Sequence, residues 1–257
     1  MAQRDEITRK VKEAASIVMD SKYVTCLTGA GISVESGIRP FRGPGGLWTE
    51  KGEPPMDGYR RFLSDPKTYW ENRMKDATEF GISILNAKPN LGHVALAELE
   101  KMGVLRCLIT QNIDNLHLVA GSTKVLEIHG NSGYLRCTEC STKWRLDEFR
   151  LEEIPPKCPK CGGMVKSDTV MFGEPIPANV LQRCYEEAER SDCMIVAGTS
   201  ATVSPAANLP IIVKRNKGRL LEFNIRRSEI SSFCDVNVYA PSGVSLPMLV
   251  DEIKELA

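Results

Sequence analysis

The sequence predicts an α/β protein built on a mostly parallel sheet with helices on both faces, together with a small metal-binding lobe. Short, continuously apolar runs alternate with helical patterns, which is typical of sheets that are covered on both sides. A polar cluster follows several of these runs, and open α/β sheets bind ligands along that edge. Two close pairs of cysteines have the spacing of a zinc site.

The predicted elements follow the apolar pattern along the chain. An amphipathic helix over residues 5–20 comes first, a second over 93–101 stops at Gly103, and a third closes the chain from Leu246 onward. Because the strand-like runs are short and apolar throughout, they are expected to lie inside one sheet. These strands are predicted over residues 23–27, 104–109, 125–128, 194–197 and 220–223.

Two stretches interrupt this alternation and are interpreted as insertions that pack together as a smaller lobe. Residues 45–90 begin rich in glycine and proline and become helical around 66–80, so we expect a helical insertion with a covering loop. Residues 131–168 hold the cysteine pairs and form the predicted zinc-ribbon module. The main domain is expected to comprise residues 1–44, 91–130 and 169–257.

Composition limits the class of protein. The 33 Lys and Arg residues balance 33 Asp and Glu residues, so no global field attracts nucleic acid or an anionic membrane, and we expect neither as a partner. Nine cysteines favour metal binding plus reduced thiols over disulfides, with Cys26, Cys107 and Cys193 buried in apolar runs. No segment is apolar enough to span a bilayer and the N-terminus has no signal-peptide core, so a cytoplasmic location is expected.

The four-cysteine pattern is the most specific motif for a metal. Cys137-x2-Cys140 and Cys158-x2-Cys161 are separated by seventeen residues, which matches a zinc ribbon, and Gly162-Gly163 supplies the turn after the second pair. The alternative of four unrelated thiols requires two such pairs to arise by accident. Because four thiolates leave no position for water, the Zn²⁺ is predicted to be structural.

A glycine turn after the first strand is the candidate phosphate cradle. Gly29-x-Gly31 permits close backbone approach, and amides of the following helix can hold a pyrophosphate. Val34 replaces the third glycine of the dehydrogenase fingerprint, so a plain turn is the alternative for this motif alone. Ser33 and Phe41-Arg42 favour a nucleotide site, with Arg42 available to phosphate and Phe41 to a ribose or nicotinamide face.

Gln111-Asn112-Ile113-Asp114 directly follows the second strand. Polar side chains there can simply cap the strand end. In the functional hypothesis, the Asp114 carboxylate accepts a hydrogen bond from the carboxamide of a nicotinamide, and Asn112 binds a ribose hydroxyl or a water.

The chain has three histidines. His93 is expected to pack and His117 to support the loop. His129 follows the third strand next to Gly130 and is the candidate general base, because an imidazole with a pKa of about 6.5 suits proton removal at neutral pH. Gly198-Thr199-Ser200, Asn224 and Ser242-Gly243 are ordinary turn residues singly, but their shared edge suits the adenosine half of a dinucleotide.

In this order and spacing the motifs resemble those of the sirtuin family, the NAD-dependent protein lysine deacylases, over about residues 5–255. The set is most similar to compact prokaryotic, archaeal members. The matching motifs are Gly29-Ala30-Gly31-Ile32-Ser33, Ser36-Gly37-Ile38, Phe41-Arg42, Gln111-Asn112-Ile113-Asp114, Leu116-His117, His129-Gly130, the four cysteines, Phe172-Gly173-Glu174, Gly198-Thr199-Ser200 and Asn224.

The resemblance implies a Rossmann-like NAD-binding domain, with NAD as co-substrate and an acyl-lysine protein or peptide as partner. It assigns the phosphate, ribose and nicotinamide region to Ala30, Val34, Phe41, Arg42, Gln111, Ile113 and Asp114. It assigns the adenosine end to Gly198, Thr199, Ser200, Asn224, Ile225 and Ser242. It also implies that a strand of Val170, Met171, Phe172 and Gly173 pairs with substrate backbone by β-augmentation.

The implied reaction releases nicotinamide and yields deacylated lysine and 2′-O-acyl-ADP-ribose. His129 is the implied general base, Asn112 and Asp114 are the other implied catalytic residues, and zinc takes no chemical part. The loop from Gly43 is expected to order over NAD and exclude water.

The sequence departs from the family pattern at Arg39-Pro40, which places a cation where a polar side chain is usual. The Tyr-x-x-Arg pair of desuccinylases is not found at its expected place on the helix that carries Tyr69 and Arg73, so neutral acyl groups, acetyl first, are expected. Three alternatives remain: a mono-ADP-ribosyltransferase or longer-chain deacylase with the same fold, an NAD-dependent oxidoreductase, and a zinc-ribbon nucleic-acid-binding protein.

Overall fold

The computed structural model of the chain describes residues 2–75 and 79–257. The helices are α1 (Ala2–Asp20), a 3₁₀ helix (Ala30–Ser36), α2 (Leu47–Lys51), α3 (Gly58–Ser64), α4 (Pro66–Lys75), α5 (Glu79–Asn86), α6 (Leu91–Lys101), α7 (Leu116–Val119), α8 (Ala178–Arg190), α9 (Asn208–Arg215) and α10 (Ser242–Leu256). The strands are β1 (Val24–Thr28), β2 (Leu105–Thr110), β3 (Val125–Glu127), β4 (Tyr134–Cys137), β5 (Lys143–Arg145), β6 (Val165–Ser167), β7 (Cys193–Ala197), β8 (Arg219–Asn224) and β9 (Val236–Tyr239).

The main sheet is parallel and has six strands in the order β3-β2-β1-β7-β8-β9. The chain leaves β1 in one direction towards β2 and β3 and later returns on its other side with β7, so the strand order reverses at β1. Thr28 at the end of β1 lies opposite Thr110 of β2 and Ala197 of β7. The carboxyl ends of the central strands are therefore level, which creates a crevice at the reversal point.

Helices cover both faces of this sheet, as predicted. One buried cluster joins α1, α6 and α10 to one face, and a second joins α8 and α9 to the other. All five residues of β1 are buried, which explains its mostly apolar pattern; the exceptions, Thr25 and Thr28, hydrogen-bond to Ser191 and Thr110. Cys26, Cys107 and Cys193 are also buried, as the sequence predicted.

The second sheet is small and antiparallel, in the order β5-β4-β6, and it carries the four-cysteine motif. The helical insertion packs on it through Trp70 of α4, which is only 1% exposed and donates a hydrogen bond from Nε1 to the Val165 carbonyl at 2.9 Å. The stretch predicted to be helical around 66–80 contains α4 and the start of α5, and residues 76–78 lie outside the described residues.

The five strands predicted for the main sheet are present, with bounds that differ by one or two residues. The sixth strand, β9, was not predicted. It lies at the edge of the sheet beside β8, and its four residues include Asn237 and the exposed Tyr239, which interrupt the apolar run. Within the described part of the chain, none of the helices has the length and hydropathy that crossing a membrane requires.

Candidate active site

The glycine turn lies at the carboxyl end of β1 and leads into the 3₁₀ helix. The Gly31 amide donates to the Gly198 carbonyl at 2.7 Å, so the loops after β1 and β7 touch through their main chains. A Cβ at Gly31 would lie 2.6 Å from the Gly198 oxygen, closer than real side chains come. The glycine is therefore required by the contact between the two loops.

A buried polar cluster joins the turn after β1 to the motif after β2. Ser33 Oγ donates to Asp114 Oδ2 at 2.7 Å, and Asn112 Nδ2 donates to Ser33 Oγ at 3.1 Å. The Leu116 amide donates to Asp114 Oδ1 at 3.0 Å. Both oxygens of Asp114 thus have a donor, and its carboxylate has one fixed orientation.

Burial raises the pKa of Asp114, and the donors from the Leu116 amide and the Ser33 hydroxyl oppose that shift. The carboxylate is 8% exposed, so it lies just beneath the surface of the crevice. The structure therefore presents a carboxylate in a nearly dry setting, where its interaction with a ligand amide is stronger than in water.

His93 and His117 lie under this cluster, and both are buried as the sequence predicted. His93 Nε2 is 3.3 Å from Ser33 Oγ, and His117 Nε2 is 2.9 Å from Thr28 Oγ1. Burial lowers the pKa of His93 to about 4 and that of His117 to about 3. The two rings are therefore neutral at physiological pH and support the loops by hydrogen bonding and packing.

His129 lies two residues beyond β3 and is partly exposed at the same edge. Its Nδ1 is 3.1 Å from the main-chain carbonyl of Gln111, an acceptor that selects the tautomer with a proton on Nδ1. Nε2 then has its lone pair free. Burial lowers the pKa of His129, and the bond to Gln111 opposes that shift. A neutral imidazole with a free Nε2 is the form that a general base requires.

The ends of β7 and β8 meet beside Gln111. Gln111 Nε2 donates to Thr199 Oγ1 at 2.9 Å, and Asn224 Nδ2 donates to the Thr199 carbonyl at 2.9 Å. Thr199 is 7% exposed, whereas Ser200 and Ile225 face solvent. Ser242, at the start of α10, is buried, and the next amide, Gly243, donates to Glu35 Oε2 at 2.7 Å. Most predicted adenosine contacts are therefore tied to the same edge as the glycine turn.

Side chains of the segment that follows the 3₁₀ helix make aromatic and ionic contacts with one another. Phe41 stacks on Trp48 with ring centroids 4.6 Å apart, and the Arg42 guanidinium lies 4.6 Å from the centre of the same indole. Arg42 also pairs with Glu53 at 2.8 Å. Arg39, the predicted extra cation, pairs with Glu50. Both arginines thus have carboxylate partners within the loop itself.

The predicted substrate strand at Val170, Met171, Phe172 and Gly173 is not a strand in this structure. It is irregular backbone that turns at Phe172-Gly173, where Gly173 has a φ of +79°. The Val170 amide donates to the His129 carbonyl at 2.8 Å, so this segment lies directly against the candidate base. No partner for the Phe172 amide or the Val170 carbonyl occurs among the described residues.

The four cysteines of the ribbon converge. Their Sγ atoms all lie within 4.8 Å of one another, with Cys137 and Cys161 at 3.5 Å and Cys140 and Cys158 at 3.7 Å. Four sulfurs at about 2.3 Å from a tetrahedral Zn²⁺ would be about 3.8 Å apart, so the set fits this ion. Amides of Glu139, Cys140 and Lys160 donate to the sulfurs, as expected for thiolates.

Two features of the site were not found in the sequence. Asn90 caps α6 and also donates from Nδ2 to the Ile32 carbonyl at 2.8 Å and to Ser36 Oγ at 2.9 Å, which fixes the 3₁₀ helix. The Asn-x-x-His capping pattern was the available signal for it. The other feature is a buried ionic cluster around Lys166 and Glu174, for which the sequence carries no signal.

Comparison with known proteins gives a consistent result. The sequence model of the Sir2 family matches residues 29–205. An NAD-dependent protein deacylase of Thermococcus kodakarensis is 43% identical over 252 residues, covering 95% of each chain. A solved Sir2 homologue–NAD complex aligns with a TM-score of 0.79 at 39% identity, over 95% of this chain and 94% of that one. A Sir2 mutant with a deacetylated p53 peptide and 3′-O-acetyl ADP ribose aligns with a TM-score of 0.80 at 34% identity, over 94% and 97%.

Proposed function

Because the chain belongs to the Sir2 family, we propose that it is an NAD-dependent protein lysine deacetylase that releases nicotinamide, deacylated lysine and 2′-O-acyl-ADP-ribose. The observation that carries this function is the meeting of His129, Asp114 and the glycine turn at one crevice, where the strand order of a parallel sheet reverses. An NAD-dependent oxidoreductase is disfavoured by the glycine turn, in which Val34 stands at the third glycine position of the dehydrogenase fingerprint.

The proposed catalytic roles follow from the protonation and orientation of each group. NAD supplies the ADP-ribosyl group that receives the acyl group. His129 accepts a ribose hydroxyl proton at Nε2, while the Gln111 carbonyl holds the opposite nitrogen. Asp114, fixed by Ser33 and the Leu116 amide, accepts from the nicotinamide carboxamide. Asn112 holds Ser33 and faces the ribose.

The remaining NAD contacts are proposed from their place along the edge. Ala30, Ser33 and Val34 follow the turn, and main-chain amides there suit the diphosphate. Phe41 packs on the ribose. When NAD binds, Arg42 leaves its ion pair with Glu53, whose side chain is 61% exposed, and binds a phosphate instead. Gln111 and Ile113 line the nicotinamide side. The proposed adenosine contacts are Gly198, Thr199, Ser200, Asn224, Ile225 and Ser242.

An acyl-lysine peptide is the proposed second substrate, bound by β-augmentation at residues 170–173. The unpartnered Phe172 amide and Val170 carbonyl are the donor and acceptor that a bound strand would satisfy. Main-chain pairing of this kind accepts many sequences, so we expect weak discrimination around the lysine.

Acetyl is the proposed acyl group. Tyr69 packs against the buried core of the small lobe, with its ring centroid 5.8 Å from that of Trp70 and 5.1 Å from that of Phe62. This aromatic packing gives Tyr69 a structural role in the lobe, which supports the choice of a neutral acyl group.

Zn²⁺ is proposed as a structural ion of the ribbon, held by Cys137, Cys140, Cys158 and Cys161. We also propose that the main domain comprises residues 1–44, 91–130 and 169–257, with the other two stretches as insertions. The proposed location is cytoplasmic.

Mass spectrometry tests the function directly. The protein is incubated with NAD and an acetyl-lysine peptide, and we expect free nicotinamide, the deacetylated peptide and O-acetyl-ADP-ribose in equal amounts. NADH formation would indicate an oxidoreductase, and ADP-ribose attached to protein without loss of acetyl would indicate a transferase. Either result, without deacetylated peptide, would contradict the proposal. A succinyl-lysine peptide that reacts faster would contradict the choice of acetyl.

A further inference from the structure

A row of three cations crosses the small sheet. In the register of its strands, Arg136 of β4 lies directly opposite Lys143 of β5 on one side and Lys166 of β6 on the other. Residues directly opposite in an antiparallel pair project from the same face, and like charges in such pairs are destabilising. Arg136 is 6% exposed and Lys166 is fully buried, so water does not screen their repulsion. We call these three residues the cation row.

Two carboxylates pair with the three members of the cation row. Asp168 accepts from Arg136 Nε at 3.0 Å and from Lys143 Nζ at 2.7 Å. Glu174 accepts from Arg136 Nη2 at 2.6 Å and from Lys166 Nζ at 3.0 Å. Asp168 and Glu174 are the two ends of the segment that contains residues 170–173. The row therefore holds both ends of the proposed substrate segment.

Lys166 also holds the main chain within this segment. Its ammonium group donates to the Ser167 and Thr169 carbonyls, both at 2.8 Å, so with Glu174 it has three acceptors for three protons. Glu174 Oε2 in turn accepts from the Met171 amide at 2.9 Å. The main chain is thus fixed at residues 167, 169 and 171, immediately before the unpartnered Phe172 amide.

The segment lies against the main chain of His129 on its other side. The Val170 amide donates to the His129 carbonyl at 2.8 Å. At Gly130, which has a φ of +76°, a Cβ would lie 2.0 Å from the Asp168 carbonyl oxygen. A shift of this segment would therefore move both the proposed peptide edge and the backbone that carries the candidate base.

We infer that the cation row, mainly through the contacts of Lys166, positions residues 169–171 in the backbone conformation that binds the acyl-lysine peptide. This inference rests on the proposed function. The stability of the fold does not by itself explain the cation row. Replacing a buried ion pair by apolar residues of similar volume is often neutral for the free energy of unfolding or increases it. What apolar residues cannot supply is a donor to two carbonyls and a carboxylate at once.

The test compares Lys166→Met with Arg145→Met in the zinc-loaded full chain. Arg145 is an exposed cation of the same small sheet that pairs with Asp147 at 2.9 Å, and among the described residues it makes no hydrogen bond or ion pair with residues 168–174, so it is the control. The measurements are the KM for an acetyl-lysine peptide, the Kd for ADP-ribose and the hydrogen-exchange rate of the Val170 and Met171 amides.

For Lys166→Met we expect the peptide KM to rise roughly tenfold or more, as for loss of one charge-assisted contact. The Kd for ADP-ribose should stay within about twofold, and amide exchange at Val170 and Met171 should accelerate. Arg145→Met should leave all three unchanged. A peptide KM in Lys166→Met equal to that of the control, or equal losses of peptide and ADP-ribose affinity, would overturn the inference.

Glu174→Gln provides a second variant if Lys166→Met does not fold. It removes the charge that pairs with Lys166 and Arg136, and the same selective rise in peptide KM is expected. Failure of the proposed function is distinguishable, because it would appear as a wild-type protein that does not deacetylate the peptide, whereas amide exchange reports on the segment in either case.

Discussion

Replacing His117 by glutamine tests whether neutral, buried imidazoles support the loops of the candidate active site. His117 Nε2 lies 2.9 Å from Thr28 Oγ1 at the end of β1. Burial, with a smaller effect of His93, lowers the pKa of His117 to about 3, whereas the unfolded side chain has a pKa of about 6.5. As the pH falls, the unfolded chain therefore takes up a proton that the folded protein refuses.

A pKa that is depressed in the folded state gives stability that is present above about pH 6.5 and is lost as the pH falls towards the folded value. Between about pH 7.5 and about pH 5.5, unfolded His117 changes from about one tenth to about nine tenths protonated, which lowers the free energy of unfolding by about 1.3 kcal/mol. His93, with its pKa lowered to about 4 by burial, adds a loss of similar size in the same window.

Urea unfolding of wild type and His117→Gln at these two pH values, with zinc present, measures the difference. The glutamine amide can occupy the place of Nε2 beside Thr28 but does not titrate. We expect the free energy of unfolding of the wild type to fall by about 1.3 kcal/mol more than that of the variant. His93 is common to both proteins and cancels. Equal losses in the two proteins would refute the conclusion that His117 is held neutral.

Four further predictions concern catalysis, zinc binding and the stability of the fold. His129→Ala should abolish deacetylation. The Kd of the variant for ADP-ribose, measured by calorimetry, should stay within about twofold of the wild-type value, because the ring lies at the sheet edge rather than in the core. In the wild type, kcat/KM should decrease only when the pH falls below the ordinary histidine pKa of about 6.5, since burial lowers the pKa of His129. Asp114→Asn should slow nicotinamide exchange by roughly tenfold or more and change ADP-ribose affinity much less, because the carboxylate is the proposed acceptor for the nicotinamide carboxamide. Cys158→Ala should remove zinc, measured by atomic absorption, and activity together; full activity without zinc would contradict a structural metal. Gly31→Ala should lower the free energy of unfolding by roughly 1–3 kcal/mol, because its Cβ would meet the Gly198 carbonyl, and an unchanged urea midpoint would contradict that contact.

The sequence predicted the central strands well because nearly all of their residues are buried and most of them are apolar. All residues of β1 and β7 are buried. The edge strand β9 escaped prediction because it alternates buried and partly exposed residues over only four positions. Helical structure expected around 66–80 is present on both sides of residues 76–78, which lie outside the described residues.

The candidate site was predictable where function places polar groups directly after apolar strands. Asp114 and His129 are examples, because parallel strands bring their carboxyl ends to one edge whatever the distance along the chain. The partners of Arg42 were not predictable, since Glu53 lies eleven residues away in a loop without regular pattern. Lys166 escaped for another reason. A lysine within a short strand ordinarily indicates a solvent-facing position, and its burial depends on carbonyls and a carboxylate that only the folded segment brings together.

The position of Lys166 also connects the proposed structural zinc site to the proposed peptide-binding segment. Cys137, a proposed zinc ligand, is the last residue of β4 and lies opposite Val165 of β6, while the neighbouring pair across the same two strands is Arg136 and Lys166. Zinc fixes β4 at this point, β4 fixes β6 through the ladder, and the cation row then fixes the segment that carries the Val170 contact to His129. Each step is a short-range contact between adjacent strands or residues. We therefore expect loss of the metal to loosen the proposed peptide-binding segment before it disturbs the main sheet, whose strands are held by their own buried core.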